Sequence, residues 1–505
     1  MVLILNKKAS TELYIQYWHI NGNDATSNYK ERKMLKHTIP LLKYILGDCG
    51  SSKTKKILEM MKRSDHHYLL VQSELQLLIQ SAKTLGDICK VITSETTSNV
   101  EEEVNQFLMN PTHRILTITE RAFLRIHDLT LLKNWKIYLD DVVNFHCFKV
   151  INTEKKHEVH KQLFTGFTCL DKQYCTAVPI RTFTDDLVSQ LSQCFRFVEL
   201  YDYFLMNNNF FSTKIQDGHE VYRDDCNQLS IMAWVNIQKY IDAGLDMTFI
   251  ANKFTESLLY RSNPSLFTEV KMSLQQRAVP VSERLKVFYF LAQKRFTSTF
   301  RTDNPDALPT IAQYIEQNVT GQYYYTSNRS TKDDMSKILT SGQYISPNSR
   351  GMNAYQSYTT AVWLASMKPS PVEVVMCREQ FGITGQDLVQ AREFENLYQF
   401  INRSNLRDYD SQSEIVVYVV DREQAESLGT ANIHHIDLGL EDGSTEKLKP
   451  GRPEVFNADD KVIRKKFSTF LSNSKRDVST EQFDKWCTKR NLSEQQIEML
   501  RGMMK

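Results

Sequence analysis

What the sequence lacks sets the first limits. No apolar run reaches the ~18 residues that a membrane-spanning helix needs, so a membrane partner is not expected. Neither charge is in excess: 62 Lys and Arg stand against 60 Asp and Glu in 505 residues. Nucleic-acid binding is therefore not legible from net charge and would have to come from local patches. The nine cysteines contain no CxxC pair and no even framework, which fits unpaired thiols in a reducing compartment. The first eight residues run from apolar to Lys7-Lys8, the reverse of a signal peptide, so the expected location is the cytoplasm. No short-period repeat is visible. What remains is ordinary globular composition, 41% hydrophobic and 24% charged, with length for about three to four domains.

The order of apolar runs suggests the layout. Residues 1–29 form an N-terminal segment that ends in a polar stretch. Spacing of three and four predicts a helix over 31–46, and a second helix starts at Lys53 after a Gly-containing turn. Short apolar runs at 68–71, 90–93, 114–118 and 135–139 read as strands separated by helices, which implies a parallel sheet covered on both faces. Residues 184–280, rich in Phe, Tyr and Asn, read as a helical insertion. Strand character returns at 286–291, and the two prolines of 304–309 suggest a linker. A second series follows, with strands at 322–325, 360–365 and 414–420. The polar stretch 441–453 reads as another linker, and the last fifty residues or so as a small helical module capped by Ser479 and Ser493. The expected fold is α/β. A first lobe spans 30–303 with its insertion, a second lobe 304–440, and a C-terminal module 441–505.

The sharpest local signal is Gly47-Asp48-Cys49-Gly50-Ser51-Ser52-Lys53-Thr54. A phosphate-binding loop reads GxxxxGK[ST]. Its backbone N–H groups cradle phosphates, its Lys reaches the terminal ones, and its Ser or Thr holds magnesium. The start of the following helix adds the positive end of its dipole. Ser52 stands where the last glycine belongs; serine is small but disfavours positive φ. The plain alternative is a Ser-rich turn with Ser52 capping a helix. A second signal lies downstream, where the apolar run 135–139 ends in Asp140-Asp141. On a parallel sheet, ligands sit at strand ends. One acid there can hold Mg2+ together with Thr54, and the other can orient an attacking water. A solvated loop is the alternative, but the order loop, strand–helix repeats, strand and Asp-Asp favours a nucleotide-hydrolysing lobe.

With these residues the chain resembles the superfamily 2 helicases of the DExD/H type. Asp140-Asp141 resembles their Asp-Glu pair, with a base shorter by one methylene. Leu69-Leu70-Val71-Gln72-Ser73 and Ile115-Leu116-Thr117-Ile118-Thr119 resemble segments that touch a nucleic-acid backbone, through Gln72, Ser73, Thr117 and Thr119. The run 287–293 sits where a strand ending in Ser-Ala-Thr is expected, and Ala292 alone matches. In the second lobe, residues 323–328 resemble its first strand, ending in Ser327 and Asn328. Arg350, Gly351 and Asn353 resemble an Arg-Gly-x-Asp core with Asn for Asp. Gln399 and Arg403 keep the spacing of a Gln-Arg-x-Gly-Arg-x-x-Arg pattern, and Arg407 falls one residue late. Their four-residue step could place all three on one helix face. Solvent salt bridging is the ordinary fate of such arginines.

The resemblance covers roughly 30–440. It implies two RecA-like lobes and ATP with Mg2+ as cofactors. It also implies a catalytic set of Lys53, Asp140, Asp141, Gln399, Arg403 and Arg407. The stretch 351–407 looks most like helicase-like proteins of bacteriophage replication modules, and more distantly like herpesvirus origin-binding helicases. That implies DNA, single-stranded or forked, rather than RNA. It also implies replication partners for the C-terminal module and a host cytoplasm. A helicase-like scaffold without useful ATPase is the competing reading, supported by the departures at Ser52, Asp141 and Asn353.

Weaker features have plain alternatives. His157, His160, Cys169 and Cys175 fit no zinc spacing and read better as surface His and buried Cys. Gly451-Arg452-Pro453 could enter a minor groove or simply turn a linker. Arg464-Lys465-Lys466 could contact phosphates or form a solvated face. Phe204, Phe210 and Phe211 could stack bases or form core.

Overall fold

The structure, a computed structural model, describes residues 2–6, 14–18, 42–142, 145–153, 159, 164–169, 174–179, 192–207, 213–222, 227–348, 354–441, 467, 470, 479–488, 497 and 500–501. The chain divides into two units, Met1–Leu440 and Glu441–Lys505. The first begins with an antiparallel ribbon of β1 (Val2–Asn6) and β2 (Tyr14–Trp18).

The first lobe follows. Strand β3 (Leu42–Leu46) leads into helix α1 (Lys53–Arg63), β4 (His67–Gln72), α2 (Leu75–Leu85), β5 (Cys89–Val91), β6 (Ile115–Thr119) and β7 (Trp135–Asp140). The helix expected over 31–46 is corrected, since its C-terminal part is β3. A short apolar run reads equally well as strand or buried helix. Residues 31–41 lie outside the described residues. Helix α1 buries Ile57, Leu58 and Met61, spaced one, three and four apart, against the sheet.

Between β7 and the rest of its sheet, the chain builds a separate antiparallel sheet. It contains β8 (His146–Asn152), β9 (Phe164–Cys169), β10 (Tyr174–Pro179), helix α3 (Ser192–Leu200), β11 (Tyr203–Asn207) and β14 (Gln228–Trp234). Its strand order is β8-β14-β11-β10-β9. A hairpin of β12 (Thr213–Gln216) and β13 (His219–Tyr222) turns through Asp217 and Gly218, both at positive φ. The expected helical insertion is therefore a sheet. Its strands are short and aromatic, and Asp-Gly between two alternating runs is a hairpin signal. Phe204 is core here, at 1% exposure, rather than a base-stacking surface; Phe210 and Phe211 lie outside the described residues.

Strands β15 (Asp246–Ala251) and β16 (Phe267–Glu269) complete the first sheet, in the order β16-β3-β15-β7-β4-β6-β5, all parallel. The second lobe contains β17 (Leu285–Leu291), β18 (Tyr323–Ser327), β19 (Gly342–Tyr344), β20 (Thr360–Leu364), helices α4 (Pro371–Phe381) and α5 (Glu395–Ile401), β21 (Ile415–Asp421) and β22 (Ile433–His435). Its order, β19-β18-β20-β21-β17-β22, is again wholly parallel. β18 and β20 are buried at every residue, as expected for strands covered on both faces. The protein thus has two α/β lobes with parallel sheets of the RecA-like kind. The boundary moves, however. β17 pairs with β21 and β22, so the second lobe has begun by residue 285, not at 304. The run 287–293, expected to end the first lobe, is β17 of the second sheet, and β15 is the strand that lies between β3 and β7.

The insertion packs on the second lobe. Leu205 and Met232 join Met376, Cys377, Ile383 and Leu388 in one apolar cluster, and Trp234 meets Phe381 edge-on at 5.2 Å. In the second unit, Phe467, Phe483, Trp486, Cys487 and Leu500 form a small core. Ser479 and Gln482 cap the helix Thr480–Thr488 reciprocally. Ser493, Gly451, Arg452, Pro453, Arg464, Lys465 and Lys466 lie outside the described residues.

A buried ionic knot pins three neighbouring strand ends of the second lobe. Lys368 Nζ donates to Glu393 Oε1 at 2.8 Å and to Asp421 Oδ2 at 2.7 Å, with side chains 9%, 0% and 1% exposed. The same Asp421 oxygen accepts from the Phe296 amide, and Gln424 donates to Glu393. Lys368→Met leaves two buried carboxylates without their cation. It should cost about 3–5 kcal/mol, read as a lower urea midpoint; an unchanged midpoint would show that the knot is not needed.

Candidate active site

Four adjacent strands, β3, β15, β7 and β4, run parallel, so their C-terminal ends line up along one edge of the sheet. Gly47, Asn252, Asp140 and Gln72 therefore stand side by side without needing to be near in sequence. The loop after β3 runs directly into α1, so its amides gather at the helix start. Gly47 leaves no room for a side chain: a Cβ would lie 2.4 Å from Leu274 and 2.6 Å from Lys53. Lys53 is 8% exposed, and its Nζ donates to the Gly47 and Asp48 carbonyls at 2.6 and 2.8 Å. Thr54 Oγ1 donates to Asp140 Oδ2 at 2.7 Å. That hydroxyl–carboxylate pair is the donor set a hard divalent cation takes, one oxygen from each.

Asp140 is 2% exposed. Burial raises its pKa and the neighbouring Asp141 adds to the rise, while hydrogen bonds from Thr54 and Gln72 and the charge of Lys53 oppose it. Asp141 lines the same cavity and sits at φ 56°, with its amide donating to the Ile250 carbonyl at 2.8 Å. Ser52 is also left-handed, at φ 65°, the conformation a glycine would adopt freely. It makes no side-chain cap, so the capping alternative for Ser52 does not hold. Its Oγ instead donates to Gln275 Oε1 at 3.3 Å.

The second lobe closes the cavity, which has a volume of about 580 Å³, within the range of ligand sites. Gln399, Arg403 and Arg407 all line it opposite Lys53, Thr54 and Asp141. The expected single helix face holds only in part. Helix α5 ends at Ile401, and Arg407 reaches the cavity from a 3₁₀ turn. Arg403 donates to Gln399 Oε1 at 3.4 Å. Burial, with Arg403 alongside, lowers the Arg407 guanidinium to about 10, which leaves it charged at neutral pH. Arg407 lies against Gly50: a Cβ there would be 3.3 Å from its Cγ and 3.1 Å from the Tyr409 ring. Asp48, Cys49 and Ser51 complete the loop. Cys49 is buried, its thiol pushed up to about 12 by burial, and Asp48 turns its carboxylate to Arg277 and Tyr398.

Several expected nucleic-acid contacts are corrected. Gln72, Thr117 and Ser327 are wholly buried. Gln72 donates to Asp140 Oδ2 at 2.9 Å, and Thr117 Oγ1 reaches the Lys90 carbonyl at 3.4 Å. The reason is that inner strands of a two-sided sheet bury both faces up to their last residue. Ser73 and Thr119 are half-buried, and Thr119 caps the next helix through the Ala122 amide. Asn328 ties two strand ends together through both backbone groups of Ser366. Arg350, Gly351 and Asn353 lie outside the described residues, as do His157 and His160. Cys169 and Cys175 are paired positions on β9 and β10.

Sequence reasoning missed Asn252, Glu395, Arg277, Tyr398 and Tyr409. Asn252 Nδ2 donates to both Glu395 oxygens at 3.2 and 3.0 Å, and Gln399 donates to the same carboxylate at 2.9 Å. Tyr398, beside Gln399, could have been noticed; no pattern marks the others.

No protein-family model and no curated protein matches the chain. Among solved structures, it is similar to XPD in an apo form, with 10% identity over 79% of this chain and 97% of that one, and a TM-score of 0.46. It is also similar to Xpd4 of S. tokodaii, with 11% identity over 81% and 98%, and a TM-score of 0.43. A third is S. cerevisiae Dbp5 bound to RNA and ADP BeF3, with 9% identity over 80% and 87%, and a TM-score of 0.40. Likeness this remote says nothing about activity. Among the described residues, no helix is long and apolar enough to cross a membrane.

The left-handed serine gives a direct test. Removing its Cβ relieves strain of roughly 1 kcal/mol, so Ser52→Gly should raise the melting temperature. Ser52→Val, β-branched at the same φ, should lower it. The reverse order would show that the hydroxyl bond to Gln275 outweighs the backbone.

Proposed function

We propose that the chain is a nucleic-acid-stimulated ATPase of the helicase or translocase kind, with its active site between the two lobes. One observation carries this reading. Thr54 and Asp140 meet at 2.7 Å beside Lys53, in a cavity whose far wall supplies Arg403 and Arg407. A bound Mg2+ would supply charge neutralisation on the phosphates, held by Thr54 Oγ1 and Asp140. The amides of 50–54 and the helix start would receive phosphate oxygens. Lys53 would exchange the Gly47 and Asp48 carbonyls for the terminal phosphates. Asp141 would accept a proton from, or orient, the attacking water, and the shorter side chain sets that water closer to β7. Arg403 and Arg407 would stabilise charge on the transferred group from the opposite lobe, so chemistry requires closed lobes.

The finer reading is a DNA motor of viral replication, acting on single-stranded or forked DNA in the host cytoplasm, with replication partners at the C-terminal module. Its support is the resemblance of 351–407 alone. The scaffold reading draws on the departures at Ser52, Asp141 and Asn353. Against it stands the survival of Lys53, Thr54, Asp140, Arg403 and Arg407 in one cavity.

Phosphate release measured with single-stranded, duplex and forked DNA and RNA separates these readings. Lys53→Ala should abolish hydrolysis, and Asp141→Asn should bind ATP yet turn it over slowly. Full activity in Lys53→Ala would remove the loop from the chemistry. Arg407→Ala should keep ATP affinity and lose the stimulated rate by orders of magnitude, with Arg407→Lys failing to rescue it. ATP and nucleic acid should strengthen each other's binding by ~1–3 kcal/mol. Near-normal stimulated rates in both Arg403→Ala and Arg407→Ala would show that the second lobe does not complete the site, and no stimulated hydrolysis in the parent chain would favour the scaffold.

A further inference from the structure

The segment joining the lobes, residues 270–284, contributes an arginine that touches both sides of the cleft. Arg277 Nε donates to Asp48 Oδ2 at 2.8 Å and its Nη2 to the Cys49 carbonyl at 2.8 Å, both in the phosphate loop. On the other lobe, Nη2 also donates to Asn402 Oδ1 at 2.8 Å, and Nη1 to the Leu406 carbonyl. The guanidinium lies 4.0 Å from the centre of the Tyr409 ring. Two tyrosines of the second lobe add to the same contact. Tyr398 Oη donates to Asp48 Oδ1 at 2.7 Å, and Tyr409 Oη to the Cys49 carbonyl at 2.9 Å. The Arg277 side chain is 7% exposed, so solvent screens these bonds little.

We propose that Arg277 is a positioning residue that registers the phosphate loop against the turn carrying Arg403 and Arg407. The proposal rests on the ATPase reading above. Its partners Asn402 and Leu406 are each adjacent to one of those arginines. Four acceptors, two on each lobe, are satisfied together only when the lobes are closed. A planar fork can do this and a point charge cannot. Arg277 thereby holds the Asp48 carboxylate and the Cys49 carbonyl in place, next to Gly50 of the cavity wall. Neighbouring Arg284 secures the far end of the same turn, through the carbonyls of Asn405, Asp408 and Ser413. The connecting segment therefore sets the geometry of the arginines as well as joining the lobes.

The test uses the full chain with Arg277→Gln, Arg277→Lys, Asp48→Asn and the Arg277→Gln/Asp48→Asn pair. Stimulated hydrolysis should lose at least tenfold in kcat in Arg277→Gln, with KM for ATP within threefold. Arg277→Lys should behave like Arg277→Gln, and the pair should lose no more than the worse single change. Hydrogen exchange without nucleotide should quicken at both 47–53 and 402–409 and not in β20 or β21. A kcat within twofold of the parent, full rescue by Arg277→Lys, or KM rising in step with the kcat loss would overturn the proposal. If the parent chain hydrolyses no ATP, the functional reading fails and exchange alone decides. Joint quickening on both lobes then supports the registration, and quickening on one lobe only overturns it.

Discussion

Parallel strand pairing is the constraint from which the rest follows. A parallel sheet sends every strand out at the same edge and demands a crossover to return, so each strand end opens into a loop on one rim. In the first lobe that rim receives a loop of amides, a carboxylate pair, a glutamine and an asparagine from four different stretches of chain. None of them could be close otherwise: Thr54 and Asp140 are 86 positions apart and share a hydrogen bond. The burial that makes this rim possible also makes it costly. Asp140 loses its water, and only Thr54, Gln72 and Lys53 offset the penalty. A carboxylate kept in such surroundings fits a cation far better than it fits solvent.

The second lobe repeats the device with different chemistry. Its rim ends in the Lys368–Glu393–Asp421 knot, which is satisfied within the lobe, while its helix α5 and the turn beyond it face the first lobe. Beside the cleft, away from the insertion's apolar pad, the contact between lobes is polar and aromatic. Asp48, Arg277, Tyr398 and Tyr409 form one patch and Asn252, Glu395 and Gln399 another. Interfaces of this kind suit motion, because their groups can be rehydrated when the lobes part.

What could be read from the sequence was what chemistry fixes locally. The loop at 47–54, the acid pair at 140–141 and the residues at 399, 403 and 407 each carry their spacing in consecutive or near-consecutive positions, and one cavity is lined by five residues of the loop, both acids and all three of the others. Long-range pairing was harder to see. The strand β17 looks the same in sequence whichever sheet receives it, and only its ladder with β21 decides. Gln72, Thr117 and Ser327 sit on strands whose resemblance suggested contact with a nucleic acid, but both faces of those strands are covered. The insertion was misread for a different reason. Its Asp217-Gly218 turn was visible, yet its sheet strands β11 and β14 carry apolar residues in runs instead of alternating. Arg277 carried no signal at all, since a connecting segment has no period to break.

The insertion leaves the chain just after Asp141 and returns through β15, whose end holds Asn252. Its inner strands β11 and β14 meanwhile lie against α4 of the other lobe through Leu205, Met232 and Met376. This makes it a lever with a short arm and a long arm. The short arm is the pair of strand tips at the carboxylates, and the long arm is an apolar pad fixed to the opposite lobe. The chain that leaves Asp141 and the pad that touches α4 belong to one sheet, so the carboxylates and the second lobe are joined by a route that bypasses the cleft.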